Sequence, residues 1–193
     1  MYKEILNKAN IVTFLGLMFA VIGIVYCFIC NTTGAIICAT VACICDGLDG
    51  SIAKKLRKNN DYGFGIELDS LVDIISSGIL PISICISMGF NNLIDIIIYC
   101  VFMLSGVVRL AYYNIHSYNS ETFIGIPITV SNIVIVLVYF LFKNEIIFMV
   151  SLFILAILFI LPLKIKKINL KLRIIISIIG LILVIILGVI RYG

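Results

Sequence analysis

Four of the chain's ten acidic residues stand close together in two pairs, Asp46 with Asp49 and Asp69 with Asp73. The first pair is spaced i, i+3 and the second i, i+4, the two spacings that bring side chains onto one face of an α-helix. Both pairs lie at the edges of long apolar runs, where ionisable groups are costly and mark function by default. Carboxylates held together oppose one another's ionisation, so the set calls for positive charge. Lys54, Lys55, Arg57 and Lys58 lie nearby and would screen part of it. Hard carboxylate oxygens select a divalent cation such as Mg²⁺ or Mn²⁺. One such ion, or two bridged, suits an in-line displacement at phosphorus. Two other readings compete. A set of polar helix-end residues paired with lysines accounts for neither the spacing nor the adjacent glycines. A divalent-cation channel or transporter would place its site near the bilayer midplane on repeated, broken helices, whereas these carboxylates lie toward one end of their runs and no repeat is visible.

The elements that carry them are membrane helices. Of 193 residues, 63% are hydrophobic and 12% charged, where a soluble domain runs nearer half apolar and a quarter charged. The apolar residues come in runs of the roughly 20 residues that cross a hydrocarbon core. The pattern predicts an all-α polytopic bundle of six to eight spans. Seven are counted, near 11–30, 32–54, 66–88, 93–113, 124–142, 146–163 and 172–190. The links carry breakers: Asn31, Asn59 to Asp61, Gly89 to Asn92, Asn114 to Glu121, and Lys143 to Glu145. The first run is long enough to span and is followed at once by more spans, so it reads as a retained helix rather than a cleaved leader. No soluble domain interrupts the chain, which reads as one domain over 1–193. Cys27 and Cys30 form a CxxC near Cys43 and Cys45, but with no second matching pair and a single histidine these read as small apolar helix residues.

Lysine and arginine placement sets the orientation. With the N-terminus in the cytoplasm, all 14 of them except Lys143 and Arg191 fall on the inner side. That bias puts the carboxylates at the cytoplasmic ends of the second and third helices of a multi-pass cell-membrane protein. The modest net charge of +4 calls for no nucleic acid. Gly47, Gly50 and Ala53 keep the second helix slim, and Gly65 opens the third; small residues let backbones approach or leave room for a ligand.

Residues 45–73 read CDGLDGSIAKKLRKNNDYGFGIELDSLVD. This segment resembles the signature of the CDP-alcohol phosphatidyltransferase family, in which Asp-x-x-Asp-Gly-x-x-Ala-Arg precedes Gly-x-x-x-Asp-x-x-x-Asp. Asp46, Asp49, Gly50, Ala53, Gly65, Asp69 and Asp73 match it. Lys54 stands where the family has arginine, and the spacer before Gly65 is two residues longer. Arginine grips a diphosphate bidentately and lysine does not; Arg57, one turn on, is positioned to take part of that role. The resemblance implies a membrane enzyme that moves a phosphatidyl group from a CDP-linked lipid to a small alcohol, with release of CMP. By the same resemblance Asp46, Asp49 and Asp69 would hold metal. Asp73 would deprotonate the alcohol and also touch metal. Gly47, Gly50 and Ala53 would line the cytidine pocket, with Lys54, Arg57 and Gly65 beside the diphosphate. A homodimer is likewise implied.

The acceptor is read from three further segments. Ser70 follows Asp69 and Pro81 comes eight residues after Asp73; VVRLAYYN (107–114) and FIGIPIT (123–129) come later. Together they resemble the phosphatidylserine synthase branch, which implies CDP-diacylglycerol, or its archaeal ether equivalent, and L-serine as substrates. Arg109 is a natural partner for a carboxylate, and Asn114 for the amine or carboxylate of serine. The same chemistry with glycerol 3-phosphate, an inositol phosphate or another amino alcohol stays open, because the basic loop at 54–58 could receive a second phosphate. Tyr112, Tyr113 and Tyr118 read as interface-belt aromatics. His116 reads as a loop residue, and Ser76, Ser77 and Gly78 as a close-packing patch between helices.

Overall fold

The computed structural model describes residues 8–56, 63–116, 122–166, 182 and 186. Helix α1 is Lys8–Phe28 and α2 is Thr32–Leu56. Then come α3 (Phe64–Asp73), a π-helical turn (Ile74–Ile79) and α4 (Leu80–Ser87), one continuous rod. Helix α5 is Leu93–His116, α6 is Val130–Leu141 and α7 is Glu145–Ile160. Short strands β1 (Thr122–Ile124) and β2 (Lys164–Lys166) pair antiparallel, Thr122 opposite Lys166. Among the described residues, four helical stretches are long and apolar enough to cross a membrane: Asn10–Phe28, Thr32–Asp49, Phe64–Ser87 and Leu93–His116. The protein is a membrane protein.

Helices α1 and α2 pack along their whole length, and small residues are the cause. On α1 the buried positions Asn10, Thr13, Gly16, Ala20, Gly23 and Cys27 recur at helical spacing. A Cβ on Gly16 would lie 3.2 Å from that of Cys45, and one on Gly23 3.0 Å from that of Cys38. Between helices in lipid such close approach replaces the hydrophobic driving force available in water. The opposite face of α1 exposes Ile11, Leu15, Met18, Val21, Val25 and Phe28, suited to lipid contact.

The predicted breakers act as caps at the end of the bundle away from the carboxylates. Asn31 accepts from the Gly34 N–H at 3.1 Å. Asn92 accepts from Ile94 and Asp95 N–H while Asp95 accepts from Asn92 N–H, a reciprocal box that satisfies helix-end donors. Asn144 accepts from Ile146 N–H at 2.9 Å, and Asn92 donates to Glu145 at 2.8 Å, tying α5 to α7. The first four predicted spans match the structure within a few residues. The fifth, near 124–142, is helical only over Val130–Leu141; at about 1.5 Å per residue these twelve residues fall short of a full crossing. The sixth ends at Ile160, before Pro162. The seventh, 172–190, lies outside the described residues apart from 182 and 186, both helical.

The shortening of the fifth span has a backbone cause. Gly125 sits at φ +74°, and Pro127 has no N–H to give a helix. The segment is instead held by carbonyls at the end of α7 and just beyond it: Ile126 N–H donates to Leu158 O at 3.3 Å and Gly125 N–H to Leu163 O at 2.9 Å. Non-helical backbone at membrane depth is tolerated where other protein groups satisfy it. Behind the segment α5 and α7 close with Phe102 on Phe159, ring centroids 5.7 Å apart, and at the start of α7 Phe148 meets Phe90 from the turn before α5 at 5.5 Å.

A Cβ on Gly125 would strike the Phe159 carbonyl oxygen in a left-handed backbone. Gly125→Ala is therefore expected to destabilise the protein by more than about 1 kcal/mol. Thermal unfolding of the detergent-purified protein checks this; an unchanged midpoint would show that the loop relaxes freely.

Candidate active site

The two carboxylate pairs meet. Side-chain oxygens of Asp46 and Asp49 on α2 and Asp69 on α3 all lie within 4.8 Å of one another. Divalent ions bind oxygen at about 2.0–2.6 Å, so ligands across one ion stand about 4–5 Å apart. The donor set and its spread therefore fit a hard divalent cation. Asp49 and Asp73 are buried, at 5% and 7% exposure. Asp73 lies one turn beyond Asp69, and its electrostatic neighbours are Asp46, Asp69, Asp49 and Arg109.

Arg109 comes from α5. At 6% exposure it is a buried side chain, not the snorkelling residue that a helix-end arginine often is. Its guanidinium stands 5.1 Å from the Tyr113 ring centroid, and Asp73, Asp46 and Asp69 are within its electrostatic reach. Tyr113 thus serves the arginine rather than an interface belt, whereas Tyr112 is exposed and stacks on exposed His116 at 4.4 Å. Asn114 pairs with Ser70: its Nδ2 donates to Ser70 Oγ at 2.9 Å. Ser70 follows Asp69 directly, so this bond fixes α5 against the carboxylate-bearing part of α3.

Gly47 follows Asp46 on α2, half-buried, and Gly65 lies in the first turn of α3. Gly50, Ala53 and Lys54 fall on the last turns of α2. Arg57 and Tyr118 lie outside the described residues. Ser76, Ser77 and Gly78 are buried in the π-helical turn, where a Cβ on Gly78 would press on Met103 Sδ at 2.8 Å, in keeping with a packing role for that glycine.

Two residues of the site were not singled out from the sequence. Thr13 on α1 donates to Asp49 Oδ2 at 2.7 Å. Buried Asn10, one turn earlier, has its Oδ1 3.3 Å from where a Gly65 Cβ would stand, so the glycine makes room for it. The available signal was their i, i+3 spacing on an otherwise apolar helix, the same spacing as Asp46 and Asp49. A hydroxyl bonded to a carboxylate orients it for an ion.

Comparison with known proteins agrees with this geometry. The family model for CDP-alcohol phosphatidyltransferase matches residues 6–190. A CDP-diacylglycerol–serine O-phosphatidyltransferase of Helicobacter pylori is 40% identical over 98 residues, 49% of this chain and 40% of that protein. An archaetidylserine synthase of Methanothermobacter thermautotrophicus is 32% identical over 106 residues, 54% of this chain and 46% of that protein. A CDP-diacylglycerol–serine O-phosphatidyltransferase of Bacillus subtilis is 30% identical over 115 residues, 58% and 64% of the two chains. The matched stretch thus spans less than two thirds of each of these relatives. With the family match covering nearly all of its length and the paired carboxylates converging as that signature requires, the chain belongs to the CDP-alcohol phosphatidyltransferase family.

Proposed function

We propose that the protein transfers the phosphatidyl group of CDP-diacylglycerol, or of its archaeal ether-lipid equivalent, to L-serine, yielding phosphatidylserine and CMP. The observation that carries this reading is the buried Asp73, set against the three-carboxylate cluster with Arg109 as its cationic neighbour. The relatives named for serine transfer support the choice of acceptor.

In this reading Asp46, Asp49 and Asp69 hold Mg²⁺ or Mn²⁺, one ion or two, with Asp73 at the edge of the same site. The metal supplies Lewis-acid stabilisation of the diphosphate and its leaving group. Thr13 holds Asp49 in position from α1. Gly47, Gly50 and Ala53 leave space for the cytidine, and Lys54, Arg57 and Gly65 flank the diphosphate. Arg109 receives the serine carboxylate, and Asn114, steadied by Ser70, closes the same pocket. Asp73 takes the proton of the serine hydroxyl as its oxygen attacks the lipid-side phosphorus. The new O–P bond forms, the bond to the CMP oxygen breaks, and CMP leaves with that electron pair.

The whole chain, 1–193, is one catalytic domain of six to eight spans acting as a homodimer. Its N-terminus and site lie at the cytoplasmic face of the cell membrane, which the clustering of lysine and arginine on that side supports. A membrane-impermeant maleimide applied to intact cells is then expected to label Cys30, exposed at the α1–α2 turn opposite the carboxylates. Labelling only after permeabilisation would reverse the orientation.

The chemistry is tested with the purified full chain, CDP-diacylglycerol, Mn²⁺ or Mg²⁺, and one alcohol at a time, reading CMP release. L-serine is expected to drive it, and Asp73→Asn to lower the rate by at least about a hundredfold, the usual lower bound for a general base. Release driven instead by glycerol 3-phosphate or an inositol phosphate would keep the transfer chemistry and overturn the serine assignment. Metal flux into liposomes with no CMP release would favour a channel or transporter.

A further inference from the structure

Beneath the carboxylates lies a second polar cluster that the reaction just described does not use. Ser76, Ser77, Ser131 and Asn132 are all buried, Asn132 to 1% exposure. One of its bonds has its origin in the sequence. Proline at position 81 has no N–H, so the Ser77 carbonyl, four residues earlier, loses its helical donor. The Ser131 hydroxyl from the first turn of α6 donates to it instead. The bond made by Asn132 has no such origin. Its Nδ2 donates to Ser77 Oγ at 3.0 Å, and its Oδ1 is buried with no hydrogen-bond partner among the described residues. Buried acceptors are satisfied with few exceptions, and an exception calls for a ligand or a structural reason.

The position of the amide indicates which ligand. Asp73 and Ser77 are four residues apart along the same rod, so Asn132, bonded to Ser77, sits deeper in the bundle than the catalytic carboxylate. Helices α5, bearing Arg109, and α6, bearing Asn132, both pack against the π-helical turn. An α-amino acid with its hydroxyl at Asp73 and its carboxylate toward Arg109 has one group left, an ammonium, which offers only donors. The free atom on Asn132 is an acceptor.

We infer that Asn132 is a specificity-determining residue whose side-chain oxygen accepts a hydrogen bond from the ammonium of the amino-acid acceptor. The inference rests on the serine reading proposed above. It explains why an amide, rather than another serine or an apolar residue, stands over Ser77.

The test compares L-serine with 3-hydroxypropionate, its analogue without the ammonium, in CMP release by the purified full chain. In Asn132→Leu the ratio of kcat/KM for L-serine to that for 3-hydroxypropionate is expected to fall about tenfold, mainly through a higher KM for serine, as for loss of one hydrogen bond to a charged group. Ser131→Ala, which removes only the bond to the Ser77 carbonyl, should leave the ratio unchanged. Asn132→Asp keeps the acceptor and removes the donor to Ser77. It should retain the preference for serine, and it decides the matter if the leucine variant does not fold. Equal losses for both substrates in Asn132→Leu, or loss of the serine preference in Asn132→Asp, would make Asn132 a packing residue and overturn the inference. A wild-type protein that releases no CMP with serine would overturn the parent reading itself, an outcome visible before any variant is made.

Discussion

Everything at the working end of this molecule depends on holding four carboxylates together inside a membrane protein. In water such a set costs little; at the end of a helix bundle, with Asp49 and Asp73 almost wholly buried, mutual repulsion is poorly screened. The fold answers in layers. Close packing of α1 on α2 brings a hydroxyl donor, Thr13, onto Asp49. Helix α5 brings a buried guanidinium within reach of Asp73, Asp46 and Asp69. What these groups leave unbalanced is charge that a divalent ion would supply, and the 4.8 Å spread of oxygens from Asp46, Asp49 and Asp69 fits one.

The second constraint is backbone satisfaction in a medium without water. It explains features far from the carboxylates. Proline at 81 leaves a carbonyl unpaired, and a serine from α6 takes it. Gly125 and Pro127 break a run that is apolar enough to span, and carbonyls at the end of α7 and just after it receive the freed N–H groups. These repairs draw the start of α6 against the π-helical turn directly below Asp73. One irregularity in the third helical rod therefore brings the buried amide of Asn132 onto Ser77, four residues beyond Asp73.

Much of the site was legible because charge in an apolar run is a loud signal. The i, i+3 and i, i+4 spacing put each carboxylate pair on one helix face, and the two helices being antiparallel neighbours let the pairs meet; Arg109 stood out as another charge in an apolar run. The glycines beside them announced close approach. What was not legible is equally physical. Asn10 and Thr13 are small neutral groups on an apolar helix, and only their partners reveal them. Residues 124–129 read as membrane span because hydropathy sums side chains and overlooks a left-handed glycine and a missing proline N–H. The π-helical turn leaves no mark in periodicity over so short a stretch. Tyr113 read as an interface aromatic because its contact with Arg109 lies across a turn of helix and depends on the arginine being buried.

The central claim is that Asp46, Asp49 and Asp69 form one divalent-cation site. The direct measurement is Mn²⁺ binding to the purified full chain followed by electron paramagnetic resonance, wild type against Asp49→Asn, with thermal unfolding to show that both are folded. The account predicts saturable loss of the free-Mn²⁺ signal in the wild type, competed by Mg²⁺, and at least about tenfold weaker binding in the variant. Wild-type protein that binds no Mn²⁺, or a folded variant that binds it equally well, would contradict it.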